Sequence, residues 1–201
     1  MKDSYRTIES AAEVSFFKEK GSKFYGYAFP VLSKAEVNTF LEELRKEHPS
    51  ANHICYAWQL GVENPNFNLN DDGEPNNSAG MPINGQIRSF ELTNVLVAVV
   101  RYFGGTKLGV GGLKQAYKYS AMLTLENAVI VEKTIDVHYQ LRFAYDLMNP
   151  VMRVIKQKQI KILNQVLGVD CQMAISIRKT EEVEVLERFR HLYKVKIKLV
   201  S

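Results

Sequence analysis

The sequence predicts an α+β chain of two domains, residues 1–133 and 134–201, and three observations carry that prediction. The C-terminal segment reads strand, helix, strand, strand, helix, strand, the βαββαβ order of a ferredoxin-like sandwich. The N-terminal segment mixes strands with helices and contains an apolar run, residues 95–100, that opens through a Gly-rich turn onto a helical pattern. Charge divides at the same place. Up to Lys133 there are 14 Lys/Arg against 15 Asp/Glu (net −1), and from Thr134 onward 12 against 7 (net +5), giving the formal +4 of the whole chain. A basic C-terminal third suits a polyanionic partner.

Each N-terminal element has its own signal. Residues 5–8, 13–20 and 23–31 are strand-like, and the last two join as a hairpin at Gly21-Ser22. Ser33-Lys34-Ala35-Glu36 is a capping box, and Val37, Phe40, Leu41 and Leu44 give the helix behind it an apolar stripe. Residues 53–60 form the next strand. Residues 61–79 read as a long polar loop with two prolines and six asparagines, and a loop of that length in a compact domain is usually functional or mobile. The strand from Val95 and a helix from Gly112, with Leu113, Tyr117, Ala121 and Leu125 on one ladder, complete the domain.

In the C-terminal domain Ile135, Val137, Tyr139, Leu141 and Phe143 alternate with polar residues, as in a half-buried strand. Asn149 and Pro150 mark a helix start, residues 160–167 a strand, and Gly168-Val169-Asp170 a hairpin turn. Cys171, Met173, Ile175 and Ile177 alternate along the next strand. Thr180 is positioned to cap a helix with Val185, Leu186, Phe189 and Leu192 on one stripe, and Val195, Ile197 and Leu199 close the chain as a strand. The outward positions His138, Gln140, Arg142, Gln172, Ala174, Ser176 and Arg178 include no aromatic residue, which argues against an RRM-type sheet. Lys194, Lys196 and Lys198 share one side of a strand expected at a sheet edge, where they serve either to block edge pairing or to contact phosphates.

Composition narrows the function classes. Hydrophobic content of 46% and charged content of 24% are ordinary for a globular protein. The opening Met-Lys-Asp-Ser-Tyr-Arg has no apolar h-region, and no apolar run is long enough for a membrane span, so neither a signal peptide nor membrane association is expected. Cys55 and Cys171 lie far apart with no metal-ligand spacing, which fits a reduced cytoplasmic setting and no metal cofactor.

The Gly-rich turn is the main candidate site. Arg101, Gly104, Gly105, Lys107, Gly109, Gly111, Gly112, Lys114 and Lys118 fall at a strand-to-helix junction, where free backbone N–H groups and the positive end of a helix dipole suit phosphate. Neither nucleotide motif is complete: Val110 follows Gly109 where a P-loop needs lysine, and Lys114 stands where a dinucleotide fingerprint needs its third glycine. The competing reading is that these glycines only permit tight packing and left-handed backbone. In the long loop, Asp71, Asp72 and Glu74 offer oxygen donors for a hard cation, although Asp-Gly followed shortly by Pro is also a strong turn. His53 and Cys55, two apart on a strand, bring an imidazole near a thiol, but such neighbours rarely reach bonding geometry. No nucleophile elbow, zinc set or kinase motif is present, so no catalytic residue is assigned.

Four ordered motifs then converge on a family. Gly21-Ser22-Lys23-Phe24, the strand from His53 to Ala57, the loop Asp71-Asp72-Gly73-Glu74-Pro75 with Ala79-Gly80 and Pro82, and Arg101-Tyr102-Phe103-Gly104-Gly105 through Leu113 together resemble the bacterial YigZ branch of the IMPACT family. The resemblance implies an N-terminal domain with the βαβ fold shared by RNase PH and a ribosomal-protein domain. It also implies a C-terminal ferredoxin-like module similar to the terminal domains of elongation factor G. Eukaryotic members act in translational control through an amino-acid-starvation kinase pathway and carry a further partner-binding domain, for which this chain has no room. For the bacterial branch, whose function is described as uncertain, the resemblance implies by fold an association with nucleic acid or the ribosome. One departure stands in the loop: Asn77-Ser78 replace the family's usual Gly-Thr, so Ser78 keeps a hydroxyl and Asn77 must supply any left-handed backbone.

The reading that follows is a non-enzymatic RNA- or ribosome-binding protein linked to regulation of translation, needing no cofactor. The alternative is a metal-dependent enzyme acting on a phosphorylated small molecule or nucleic acid through Asp71, Asp72 and Glu74, with His53 carrying a proton. Protein partners and the number of subunits are left open.

Overall fold

The strand β6 (Val95–Tyr102) is buried along almost its whole length, because helices cover both faces of the sheet it centres. The computed structural model describes residues 3–200. It divides into two units, residues 5–133 and residues 134–200 together with residues 3–4.

In the larger unit, β2 (Ser15–Glu19), β3 (Ser22–Pro30), β6, β4 (His53–Leu60) and β5 (Asn66–Asn70) form one antiparallel sheet in the order β2-β3-β6-β4-β5. Strand alternation divides its residues between two cores. Cys55, Ala57, Val95, Val97 and Val99 pack under α2 (Gly80–Ser89) and α3 (Gly109–Glu126). Ile54, Trp58, Leu96, Ala98 and Val100 pack under α1 (Lys34–Glu47). Each fully buried Val or Leu contributes about 1.5–3 kcal/mol. A one-residue slip of β6 would exchange the two sets, which fixes its register. A separate pair, β1 (Ser4–Ile8) with β7 (Ile130–Thr134), makes a two-stranded sheet.

Local signals explain most boundaries. The β2–β3 hairpin turns at Lys20-Gly21, one residue before the expected place, and both residues have positive φ (46° and 81°), as a type I′ turn requires. Ser33 caps α1 by accepting from Glu36 N–H at 3.2 Å, and the Glu36 carboxylate accepts from Leu32 N–H at 2.8 Å. The helix α3 begins at Gly109, three residues earlier than Gly112.

Two elements go beyond the sequence signals, one inside the loop expected over residues 61–79 and one just after it. Residues 66–70 form β5 at the sheet edge, where Phe67 and Leu69 alternate with asparagines whose turn propensity masks the period of two. Residues 80–89 form α2, with Ile83 and Ile87 one turn apart in the core and Pro82 tolerated in the first turn. No side chain of its own caps α2. Asp71 does so from the preceding loop, accepting from Ala79 N–H at 2.9 Å and Gly80 N–H at 2.8 Å.

The smaller unit has β8 (Asp136–Ala144), α4 (Met148–Gln157), β9 (Lys161–Val166), β10 (Asp170–Arg178), α5 (Glu182–Arg190) and β11 (Lys196–Leu199), with sheet order β11-β8-β10-β9. This is the ferredoxin-like arrangement, with Leu141, Phe143, Met173 and Ile175 facing Val151, Ile155, Val185 and Phe189. Its helix starts differ from expectation. Short 3₁₀ turns over Tyr145–Leu147 and Lys179–Glu181 lead into α4 and α5, which places Asn149 and Pro150 inside the first turn. Thr180 caps nothing and instead donates to Asp3 at 2.9 Å. Lys196 and Lys198 lie on the edge strand β11, as expected, and are exposed. No helix among the described residues is long and apolar enough to cross a membrane.

Candidate functional site

The Gly-rich turn is locked to the β2–β3 hairpin by a backbone contact that tolerates no side chain. A Cβ on Gly104 would lie 1.8 Å from the Gly21 carbonyl carbon, and one on Gly21 would lie 2.7 Å from the Gly104 oxygen. Ser22, buried just after the hairpin, ties the junction together by accepting from Gly104 N–H and from Arg101 Nη2, each at 3.2 Å. Beyond this clamp the chain is open. Gly105 and Gly109 have φ of 85° and 71°, with empty space where a Cβ would stand.

The start of α3 is left without side-chain acceptors. Leu108 precedes the helix and cannot cap it, and no acidic residue stands in the first turn. The opening amides therefore present unsatisfied donors and the positive end of an 18-residue helix dipole. Gly111 is exposed and Gly112 lies over Leu108, where a Cβ would meet the Leu108 Cβ at 3.2 Å. Lys107, Lys114 and Lys118 are exposed around this end, and among the described residues none of the three makes an ion pair within 4 Å.

Arg101 departs from the expected role of an exposed phosphate contact. It lies on the same face of β6 as Val95, Val97 and Val99, is 4% exposed, and its Nη1 donates to Glu74 Oε1 at 2.5 Å. The same carboxylate oxygen accepts from Tyr117 OH at 2.7 Å and lies 3.8 Å from His53 Nε2. The pair therefore neutralises itself inside the domain and joins three elements: the loop before α2, strand β6 and helix α3. The Arg101 guanidinium also lies over the rings of Phe24 and Phe103, 5.6 and 5.7 Å from their centroids. Its Nε has no hydrogen-bond partner among the described residues.

The acidic loop is used internally. Asp71 accepts from Asn77, Ala79 and Gly80 N–H, and Asp72 accepts from Ile54 N–H at 2.7 Å. Asn77 takes the left-handed backbone (φ 60°) that its replacement of glycine demands. Ser78 is fully buried, with its hydroxyl unpartnered among the described residues. Glu74 reaches Arg101 while Asp71 and Asp72 turn to backbone amides. No group of three or more His, Cys, Asp or Glu among the described residues is placed to hold a metal ion.

His53 Nδ1 lies 2.8 Å from the Asp72 carbonyl oxygen, which only accepts, so that nitrogen carries hydrogen. Cys55 is buried and donates to the Asp71 carbonyl at 3.1 Å. Burial pushes its thiol well above the ordinary range, and burial likewise raises Tyr117. A thiol held neutral in this way is not a nucleophile. Two residues of this network, Ser22 and Tyr117, escape sequence reasoning. Tyr117 reads as one rung of an apolar ladder, and nothing local shows that its hydroxyl meets a carboxylate 43 positions away.

Comparison with known proteins agrees with the architecture. The family model described as the Impact N-terminal domain matches residues 20–125, which includes the Lys20-Gly21 turn and β3, the Glu74 loop and the Gly-rich turn. IMPACT family member YigZ of Escherichia coli is 32% identical over 157 residues, covering 77% of each chain. IMPACT family member YvyE of Bacillus subtilis is 36% identical over 133 residues, 66% of this chain and 61% of that one, so the chain spans less than two thirds of that relative's length. A solved crystal structure described as that of a hypothetical protein has the same fold throughout, with a TM-score of 0.73, 24% identity, and coverage of 100% of this chain and 99% of the other. On these matches, the chain belongs to the IMPACT family.

Proposed function

We propose that the protein is a non-enzymatic nucleic-acid- or ribosome-binding protein linked to the regulation of translation, and that it takes backbone phosphates at the Gly-rich turn. The observation that carries this reading is the start of α3, which among the described residues has no side-chain cap, no acid in its first turn, and Lys107, Lys114 and Lys118 exposed around it without an ion pair. Gly105, Gly109 and Gly111 keep the backbone approachable, Gly104 and Gly112 pack the turn against Gly21 and Leu108, and the lysines supply mobile charge. Arg101 belongs to the turn's support, because its charge is met by Glu74.

The basic C-terminal unit favours the same ligand. Arg142 and Lys196 line two open clefts on its sheet, of about 530 and 380 Å³, together with Lys198 in the first and Lys194 in the second. Membership of the IMPACT family, whose resemblance implies translational control for eukaryotic members, supports the setting. Contacts of this type carry affinity with little base information, so binding should be tolerant of sequence and steeply dependent on salt.

Fluorescence anisotropy of a labelled RNA, titrated from low to moderate salt, tests the reading. Lys107→Ala with Lys114→Ala should weaken binding for every sequence and reduce the log–log salt slope by roughly one for each phosphate that the variant no longer neutralises. Unchanged affinity and slope would remove the turn from the binding surface.

A further inference from the structure

On the larger unit's sheet, one face continues beyond the end of α1 and carries rings interleaved with lysines. Strand alternation places Phe16 and Lys18 of β2, Lys23 and Tyr25 of β3, and Tyr102 of β6 on this face, with Phe16 opposite Tyr25, Lys18 opposite Lys23, and Lys23 opposite Tyr102. The helix covers Tyr27, Leu96 and Ala98 at the other end of the same face and stops at Glu47. Phe16 is consequently 48% exposed, and Phe103, just after β6, is 46% exposed.

The rings form a contiguous set. Phe16 and Tyr25 centroids are 4.9 Å apart, and Tyr25 lies 5.9 Å from Tyr102 and 5.7 Å from His48. His48, the C-cap that follows α1, braces the floor: its Nδ1 lies 2.8 Å from Tyr102 OH and its Nε2 2.5 Å from Tyr27 OH. An open cleft of about 340 Å³ is lined by Gly21, Lys23, Tyr25, His48, Tyr102 and Phe103. Lys23 lines it, Lys18 stands opposite Lys23 with its ammonium 6.0 Å from the Phe16 ring centroid, and Lys20 sits in the adjoining turn, all three exposed. The nearby acid at the end of α1, Glu47, is turned toward Tyr27 OH and His48.

We propose that this face is a stacking platform for the unpaired bases of a single-stranded nucleic acid. Phe16, Tyr25 and Tyr102 would lie under the bases, with Lys18, Lys20 and Lys23 on the phosphates. The proposal rests on the phosphate-binding reading above and extends it from backbone contact to a preference for unpaired strands. Flat rings alternating with cations match a ligand that alternates π-faces with phosphates. A protein segment seeking an apolar groove gains little from so many exposed ammonium groups. The platform also adjoins the Gly-rich turn directly, since Phe103 and Gly104 follow Tyr102 and Gly21 touches Gly104.

Anisotropy of one labelled RNA strand, measured alone and as its duplex, separates this proposal from the reading beneath it. Phe16→Leu with Tyr25→Leu keeps apolar bulk but removes two π-faces. It should weaken single-strand binding by about tenfold or more, leaving duplex binding and the salt slope unchanged. Phe16→Tyr keeps a ring and should retain single-strand affinity, with Trp58 fluorescence checking the fold of each variant. A leucine variant that binds the single strand as wild type does would overturn the platform and leave the phosphate reading standing, with this face handed to a protein ligand. Equal losses on strand and duplex would overturn it too. Wild-type protein that binds neither form would sink both.

Discussion

Replacing Glu74 with glutamine tests how the Gly-rich turn is held. Both side chains are almost wholly buried, and one carboxylate oxygen accepts from both Arg101 Nη1 (2.5 Å) and Tyr117 OH (2.7 Å). Glu74→Gln can leave an amide oxygen for both donors but removes the charge, and the guanidinium cannot respond by losing a proton. Breaking a buried pair from one side costs about 3–5 kcal/mol. The surviving acceptor places glutamine near the lower limit and Glu74→Ala near the upper one. At about 4 °C per kcal/mol for a unit of this size, the glutamine variant should melt roughly 12 °C lower. Against a total of about 5–15 kcal/mol, this is a large share of the stability. The single tryptophan, Trp58, is 5% exposed in β4, so urea unfolding followed by its fluorescence reports on the correct unit. Exchanging all three partners for apolar groups, Glu74→Leu with Arg101→Met and Tyr117→Phe, should recover most of the loss, since such swaps are often neutral and no buried donor is then left without its acceptor. A glutamine variant within about 1 kcal/mol of wild type, below the range for a broken buried pair, would refute the reasoning.

Four further outcomes follow from the structure. Gly104→Ala forces a methyl group into the Gly21 backbone and should destabilise the larger unit by well over the about 1–3 kcal/mol of ordinary overpacking; Gly111→Ala, with open space at its Cβ, should stabilise α3 by about 0.5–1 kcal/mol, both read by urea midpoint. Glu182 accepts from Tyr139 OH at 2.5 Å and pairs with Lys179 at 2.9 Å, and first the Tyr139 hydrogen bond, then Lys179, hold its carboxyl below the ordinary 4.5. Its contribution is thus present above that value and lost as pH falls through the lower folded one, so Glu182→Gln should flatten the acid limb of the C-terminal unit's stability profile; an unaltered limb would contradict this. Cys55 and Cys171 are both buried, so a thiol reagent at neutral pH should label native protein slowly and label both cysteines once urea unfolds it; rapid native labelling of Cys55 would contradict the geometry.

Much of the architecture is legible because alternation is strong where one face is buried. Tyr139, Leu141 and Phe143 against Cys171, Met173 and Ile175 define the ferredoxin-like sheet, and residues 53–60 mark β4 at its observed ends. The edge strand β5 and helix α2 are hidden for opposite reasons: asparagines interrupt the first, and Gly80, Pro82 and Gly85 disguise the Ile83–Ile87 repeat in the second. The starts of α4 and α5 escape because 3₁₀ turns carry no side-chain signature. Arg101 offers a usable clue. It keeps step with Val95, Val97 and Val99, so a β-strand turns it inward and requires a buried acid, although nothing local names Glu74 as that acid. Pairings such as Gly104 with Ser22, 82 positions apart, belong to tertiary structure, as does the limit of α1 that leaves Phe16 uncovered.

Co-sedimentation of the full chain with ribosomes across a salt series tests the central claim most directly. Wild-type protein should pellet with ribosomes at low salt and be released steeply as salt rises, and Lys107→Ala with Lys114→Ala should shift release to lower salt. Absence of association at low salt, or a double variant indistinguishable from wild type, would contradict a phosphate-binding role for the Gly-rich turn.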